Sequence, residues 1–232
     1  MSDLPGGPLA TRPLHFIFIT DCSGSMSGAK IQALNEAIRT AVPKMREVAQ
    51  GNPNAEILVR AVRFSSGAQW HLSQAAKVHD FEWKDLSADG STDMGQALSL
   101  VADAMKVPPM STRALPPVLV LLSDGQPTDD FASGLKALMD QPWGKKAVRL
   151  SIAIGEDADL DVLQRFMGHP ELKPLRANNA EELTRYIRWA STAVLQAASA
   201  PASQASLPAG TNVPLPPLPV PTAGPQSAND VW

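Results

Sequence analysis

Residues 14–26, LHFIFITDCSGSM, decide the fold of this chain. The first part, LHFIFIT, is a mostly apolar run that is typical of a buried parallel strand. The second part, DCSGSM, begins with a carboxylate and carries two hydroxyl side chains. In an open parallel sheet, ligands bind beyond the carboxyl ends of the strands. The stretch therefore predicts a central strand that delivers Asp21, Ser23 and Ser25 to a ligand site.

Apolar strands and helices continue to alternate along the chain. Further strands are predicted at 55–64, 117–122 and 148–154, with short edge strands at 69–72 and 78–83. Apolar residues at helical spacing predict helices at 30–49, 93–105, 132–139, 160–167 and 181–198. Pro43 falls inside the first helix and should kink or break it. This order predicts an α/β fold of the doubly wound type.

Composition excludes several classes of protein. The 232 residues carry 20 Lys and Arg against 23 Asp and Glu, a net charge of −3, so the chain is not a strongly basic nucleic-acid binder. One cysteine permits no intrachain disulfide, and four scattered histidines give little support for a zinc site. The N-terminus has no basic start followed by an apolar stretch, and the run 16–19 is too short to span a bilayer. We expect a cytoplasmic protein that does not associate with membranes.

The sequence divides into a folded body and a low-complexity tail. We expect a flexible N-terminus at 1–13, one domain at 14–198, and a Pro/Ala/Ser-rich tail at 199–232 with eight prolines and a single charged residue. The prolines of 214–221 favour polyproline II, and such a composition predicts disorder. The alternative is a docking peptide for an aromatic-lined groove. Trp232 is then either an inert terminal residue or a binding anchor.

Three oxygen-rich segments follow predicted strands or precede helices. Asp21, Ser23 and Ser25 lie in the first segment, Thr92 in the second, GSTDMG, and Asp124 in the third, SDGQPTD. Carboxylates and hydroxyls without a convergent His or Cys suit a hard divalent cation. Magnesium is the first expectation, with manganese or calcium as alternatives.

These segments resemble the metal-ion-dependent adhesion site of von Willebrand factor A domains. DCSGS resembles the D-x-S-x-S signature of that family, Thr92 its separate threonine and Asp124 its later aspartate. The resemblance covers roughly residues 14–198. It implies a Rossmann-like, doubly wound and mostly parallel sheet with helices on both faces. It also implies direct metal contacts from Ser23 and Ser25, with Asp21, Thr92 and Asp124 bound directly or through water. It also implies that an Asp or Glu of a partner protein completes the coordination of the ion.

The chain is also similar to small bacterial A-domain proteins of the TerY type, which are associated with tellurium resistance. The similarity rests on FITDCSGSMSGAKIQALN and STDMGQAL. It implies a protein kinase and a PP2C-type phosphatase as partners. The proline-rich tail does not map onto that family.

Other interpretations remain open at this stage. Each site residue alone could be a helix cap or a turn residue. We expect Asp93, Asp129 and Asp130 to lie in the first turns of helices rather than in the metal site, and Cys22 to pack inside. The motifs of serine hydrolases and P-loop enzymes are incomplete or absent, so we expect no enzymatic activity. The alternatives are a metal-dependent hydrolase that uses the same oxygen cluster, and a scaffold with a structural metal and a binding tail.

Overall fold

The apolar run that opens the sequence forms the centre of the sheet. It lies in strand β1, Arg12–Asp21, which pairs in parallel with β2 on one side and β5 on the other. Its side chains alternate between two apolar clusters. Phe16 and Phe18 belong to one, and Ile17 and Ile19 to the other. Because both faces of β1 are covered, the run contains few polar side chains.

The structure is a computed structural model that describes residues 11–200, Pro216, Pro217, Pro219 and Trp232. Within them the sheet has seven strands, with β2, β3 and β4 at Ala55–Ser65, Gly67–Trp70 and Ala76–Lys77, and β5, β6 and β7 at Val118–Ser123, Val148–Ile154 and Leu175–Ala177. The strand order is β3-β2-β1-β5-β6-β7. All pairs along this order are parallel except β2 with β3, and β4 is also antiparallel to β2.

Helices cover both faces of the sheet. They are α1 at Ala29–Gln50, α2 at Met94–Ala104, α3 at Phe131–Asp140, α4 at Pro142–Lys146, α5 at Leu160–Met167, α6 at Ala180–Trp189 and α7 at Leu195–Ser199. Helices α1, α6 and α7 pack on the face of Phe16 and Phe18, while α2, α3 and α5 pack on the face of Ile17 and Ile19. The predicted fold class is confirmed. None of the described helices is both long enough and apolar enough to cross a membrane.

The order of the strands fixes where a ligand can approach. From β1 the chain moves outward to β2 on one side, and it later returns to place β5 on the other side. The carboxyl ends of β1 and β5 therefore flank the switch point, where the connections leave in opposite directions and a crevice opens. Asp21 ends β1, and Asp124 directly follows β5.

The predicted break at Pro43 is wrong. Helix α1 continues through Pro43 to Gln50. Proline removes the hydrogen bond to the carbonyl of Arg39, but Pro43 and Arg39 are both exposed, so water can satisfy that carbonyl. The opposite face of α1 buries a row of apolar side chains, including Leu34, Ile38 and Met45. Packing of this row holds the helix together across the proline.

The predicted strand at 78–83 is also wrong, although its apolar residues Val78 and Phe81 are buried. This segment runs as an irregular strap whose carbonyl groups are satisfied by side chains of α1. The Arg46 guanidinium donates to the Val78 and Phe81 carbonyls at 3.2 and 2.9 Å. Asn35 is buried and accepts from the Leu86 N–H at 2.9 Å. The Val78 N–H still donates to the Ile57 carbonyl of β2 at 3.0 Å, but side chains supply the other hydrogen bonds, so burial of this apolar segment needed no complete strand pairing.

Several short elements were not predicted, and one boundary differs. Strand β7 and helix α4 were missed because three to five residues carry too little periodicity. The predicted helix 181–198 is α6, a π-helical turn at Ala190–Val194, and α7. Helix thus extends one residue into the predicted tail. The predictions of flexibility at 1–10 and of disorder through most of 199–232 lie outside the described residues.

Helices α2 and α3 cross through two glycines. A Cβ on Gly134 would lie 2.2 Å from the Gly95 carbonyl oxygen, and a Cβ on Gly95 would lie 2.3 Å from the Asp130 carbonyl oxygen. These distances are far inside van der Waals contact, so the backbones meet directly at this crossing. Gly95 is the last residue of the second oxygen-rich segment, GSTDMG, and the crossing therefore helps to position that segment.

We predict that Gly134→Ala lowers the free energy of unfolding by about 1–3 kcal/mol, because the methyl group must push two helices apart. Urea unfolding followed by circular dichroism measures the change. The matched control is Gly51→Ala at the exposed end of α1, where a Cβ would lie 3.6 Å from its nearest neighbour. A loss at Gly134 no greater than that at Gly51 would contradict the close crossing.

Candidate metal site at the switch point

Three loops meet above the carboxyl ends of β1 and β5. We call residues 22–28 the first loop, residues 87–93 the second and residues 124–130 the third. The first follows β1, the second precedes α2, and the third joins β5 to α3. Together they carry four of the five predicted metal ligands, and the fifth, Asp21, is the last residue of β1.

Backbone hydrogen bonds join the first loop to the second. The Gly24 N–H donates to the Gly90 carbonyl at 2.9 Å, and the Asp89 N–H donates to the Cys22 carbonyl at 2.8 Å. A short 3₁₀ turn, Gly24–Met26, then leads toward α1. The bend at Gly24 uses no left-handed conformation, and glycine is instead required at Gly90, which has φ of 79°. The two loops therefore hold one another in place.

A reciprocal pair of bonds joins the second loop to the third. The Thr92 N–H donates to the Thr128 hydroxyl at 2.9 Å, and the Thr128 N–H donates to the Thr92 carbonyl at 2.9 Å. Thr92 itself is buried. Because the backbone of Thr92 is fixed on both its donor and its acceptor side, its side chain projects from a rigid point beside the third loop.

The three aspartates that we assigned to helix starts do lie there. Asp93 and Asp130 are the N-cap residues of α2 and α3. The Asp129 carboxylate does not bond to its own helix α3. It accepts hydrogen bonds from the Gly95 and Gln96 N–H groups of α2 at 2.8 Å each. Asp129 thus joins the third loop to the start of α2. This role could not be read from sequence, since its partners lie more than 30 residues away.

Asp21 is fixed at both carboxylate oxygens. Its Oδ1 accepts from the Ser23 N–H at 2.8 Å, and its Oδ2 accepts from the Ser123 hydroxyl at 2.5 Å. Burial raises the pKa of Asp21 to about 6, since desolvation outweighs these hydrogen bonds and the nearby Asp124 adds repulsion. A carboxylate held in this way gains from a cation beside it. Ser123, which lies at the end of β5, was not predicted as part of the site.

The carboxylate of Asp124, unlike that of Asp21, is not held by hydrogen bonds from the described residues. Its side chain is 1% exposed, and neither carboxylate oxygen has a hydrogen-bond partner among the described residues. Its backbone is nevertheless held, because its carbonyl accepts from the Asp159 N–H at 2.6 Å. A buried carboxylate without a donor is costly. The orphaned oxygens of Asp124, close enough to Asp21 to raise its pKa, fit a site that is completed by a cation.

The two serines of the first loop place hydroxyl oxygens beside this pair of acids. Ser23 Oγ lies 3.0 Å from Ser25 Oγ. Ser23 is 1% exposed, whereas Ser25 is exposed to solvent. The candidate site thus has a buried floor of Asp21, Ser23, Thr92 and Asp124, with Ser25 at its rim. One side faces solvent and could admit another oxygen ligand.

The donor set agrees with a hard ion and not with zinc. Across the described part of the chain, no three His, Cys, Asp or Glu side chains cluster closely enough to hold a metal. That finding does not bear on a site of two carboxylates and three hydroxyls. Cys22 points into the core as predicted, and burial raises the pKa of its thiol to about 12. It is therefore a packing residue and not a thiolate ligand.

Solved structures with the same fold come from proteins of several kinds. A von Willebrand factor type A protein from Catenulispora acidiphila matches with a TM-score of 0.61 and 19% identity, over 80% of this chain and 43% of that one. The ArnB paralog VWA2 from Sulfolobus acidocaldarius matches with a TM-score of 0.56 and 18% identity, over 76% of this chain and 44% of that one. The pilus adhesin SpaC from Lactobacillus rhamnosus GG matches with a TM-score of 0.63 and 13% identity, over 81% of this chain and 31% of that one. This chain spans less than half the length of each, and identities this low show the fold alone.

No curated protein matches the chain significantly. The model of the von Willebrand factor type A domain family, however, matches residues 16–187. This range begins in β1, ends in α6 and contains all three loops of the candidate site. The chain therefore belongs to the von Willebrand factor type A domain family.

Proposed function

We propose that this chain is a metal-dependent protein-interaction module with a metal-ion-dependent adhesion site. Asp21, Ser23, Ser25, Thr92 and Asp124 would hold the divalent cation. The observation that carries the proposal is the carboxylate of Asp124, buried without a donor and next to the buried Asp21. Two adjacent buried acids are stabilised by a cation that offsets their charge.

Magnesium is the ion that we propose, with manganese or calcium as alternatives. All five side chains offer oxygen, the donor that these ions prefer. Two carboxylates balance the charge of one divalent ion, and the three hydroxyls are neutral. When bound, the ion supplies an electrophilic centre toward solvent. The protein fixes the oxygens around that centre through the bonds that join its three loops.

An acidic side chain of another protein is the partner group that we propose. The rim of the site is itself acidic, since several aspartates are exposed or half-exposed around it: Asp89, Asp93, Asp130 and Asp157. Such a rim attracts a cation but repels a carboxylate. Binding of an acidic partner should therefore depend strictly on the metal, while the loops around residues 65–72, 87–95 and 125–131 supply specificity.

The pathway that we propose is of the TerY type, with a protein kinase and a PP2C-type phosphatase as partners. Support comes from the resemblance of residues 18–35 and 91–98 to such proteins and from membership of a family whose domains often mediate protein–protein contacts. The adhesin among the structural neighbours is an example of a related fold in a binding protein.

We further propose that the site is not catalytic. General acid–base chemistry most often uses histidine, and the four histidines of the chain lie elsewhere. His15 is six residues before Asp21 near the start of β1, and the His71 ring bonds to the Lys84 carbonyl. His79 lies in the strap at 78–83, and His169 follows α5.

We predict that magnesium or manganese raises the melting temperature of the protein and that Asp124→Asn removes this effect. Binding to the native state alone adds about 2.7 kcal/mol of stability when the free ion is 100-fold above Kd. In EDTA, Asp124→Asn should be more stable than wild type, because it removes repulsion with Asp21. Differential scanning calorimetry in EDTA and in magnesium gives both values.

The matched control, which removes the same charge elsewhere, is Asp103→Asn. Asp103 is an exposed residue of α2 that forms an ion pair with Lys106. It should keep the full response to the metal. If Asp124→Asn and wild type shift equally with magnesium, Asp124 does not hold the ion and the proposal loses its main support.

We predict that Thr92→Ala abolishes metal-dependent capture of acidic partners while sparing the fold. The buried hydroxyl would be lost, but the backbone bonds of Thr92 to Thr128 remain. Pull-downs with immobilised wild type, in magnesium and in EDTA, define the metal-dependent set of proteins by mass spectrometry. Thr112→Ala, in an exposed loop before β5, is the matched control and should keep that set.

Capture that is identical in EDTA and with Thr92→Ala would contradict the adhesion-site mechanism. A set that contains a kinase and a PP2C-type phosphatase would support the TerY-type placement, and a metal-dependent set without them would argue against that placement alone.

The rival activity has a direct assay. We expect no turnover of p-nitrophenyl phosphate with magnesium or manganese. Metal-dependent hydrolysis that disappears in Asp21→Ala would overturn the non-catalytic assignment and favour a hydrolase.

A further inference from the structure

The β7 edge of the sheet carries contacts that the metal site does not explain. β7 is only three residues long and, among the described residues, pairs with β6 alone. Beside it runs α6, which ends at Trp189. An open edge strand presents unpaired N–H and C=O groups and is normally covered in some way.

Trp189 makes a specific contact with the proline-rich segment. Its side chain is 8% exposed, and its indole N–H donates to the Pro217 carbonyl at 3.0 Å. A polyproline II segment has no internal hydrogen bonds, so its carbonyls are free to accept. A buried aromatic residue that donates to such a carbonyl is the chemistry by which aromatic grooves recognise proline-rich peptides.

Trp232 provides a second contact on the same side of the molecule. Its backbone N–H donates to the Asn178 carbonyl at 3.1 Å, directly after β7. Its side chain is half-buried and packs against the apolar cluster beneath α1 and α6. Of the two hypotheses for Trp232, an inert terminal residue or a binding anchor, the anchor agrees with this contact.

The surface beside Trp189 has the apolar character that a proline-rich ligand needs. A cavity of about 110 Å³ lies between β6, β7 and the end of α5. Its lining includes Leu150, Met167, Leu172, Leu175 and the Trp189 side chain. Prolines and aliphatic residues gain most from contact with such a lining.

The chain itself can reach this surface. Trp189 and Ala200 are separated by 11 residues of nearly continuous helix, roughly 16 Å. The 16 residues from Ala200 to Pro216 span up to about 50 Å when extended. The segment therefore needs no second copy of the chain to supply it.

We propose that the β7–α6 edge is a docking surface for a proline-rich segment and that the chain occupies it with its own prolines around Pro217. Trp189 binds a backbone carbonyl of the segment, and Trp232 anchors the end that follows. The surface selects polyproline II through the indole N–H and the apolar lining. It works independently of the metal site.

The test uses the full chain with a protease recognition sequence replacing residues 203–209. The protein is folded, cleaved and passed over a size-exclusion column, and native mass spectrometry measures the fraction of the C-terminal fragment that stays bound. We expect the fragment to remain with the body, in EDTA as in magnesium, and to be displaced by an excess of the synthetic peptide PLPPLPVP.

Variants locate the contact. Trp189→Phe keeps the ring but removes the N–H, and it should weaken retention about threefold to tenfold, the range for one neutral hydrogen bond. Trp232→Ala should weaken retention of the fragment more than Trp189→Phe does. The same exchange at the opposite edge of the sheet, Trp70→Phe in β3, should leave retention unchanged.

Immediate release of the wild-type fragment, or equal retention in Trp189→Phe and Trp70→Phe, would overturn the proposal. Retention accompanied by a stable dimer before cleavage would also overturn it, because the segment would then belong to a second copy. If Trp189→Phe does not fold, as judged by circular dichroism, Trp232→Ala still decides the question, since its tail position leaves the body intact.

Discussion

The structure depends on the placement of a charged residue at the centre of an apolar sheet. Asp21 ends the central strand β1, and its carboxylate is fixed by a hydroxyl from β5 and by the N–H of Ser23. The bond from Ser123 ties together the two strands that flank the switch point, and the bond from Ser23 fixes the start of the first loop. Burial still raises its pKa to about 6, so the hydrogen bonds do not fully offset desolvation. A cation would provide the missing compensation, and the neighbouring Asp124 adds to that requirement.

The three loops explain why such an arrangement stays rigid. Gly24 with Gly90 joins the first loop to the second, and Thr92 with Thr128 joins the second to the third. The Asp129 carboxylate and the close crossing of α2 and α3 fix the start of α2 below them. A set of ligands from distant parts of the sequence is thereby preorganised before any ion binds, which favours a small hard cation with strict geometry.

Sequence was sufficient for the fold because the fold follows local patterns, and similar patterns named the candidate ligands, which stay a prediction. The apolar run before Asp21 and the alternation of strands and helices predict the sheet, and the hydroxyl and carboxylate spacing predicts which side chains gather. What failed or was missed depends on tertiary context. Pro43 is tolerated because its face of α1 is exposed to solvent. The strap at 78–83 is held by hydrogen bonds from the Arg46 guanidinium to its carbonyl groups. Ser123 and Asp129 matter only through partners far away in sequence, and the contact of Pro217 with Trp189 has no local signature.

The most direct test of the central claim is the location of the ion itself. Crystals of the full chain grown with manganese should show one anomalous difference peak at the switch point, within coordination distance of Ser23 and Ser25 and beside Asp21, Thr92 and Asp124. The peak should be absent in crystals of Asp124→Asn grown in the same solution. A wild-type crystal with no peak at this position, or with its only peak elsewhere, would contradict the account.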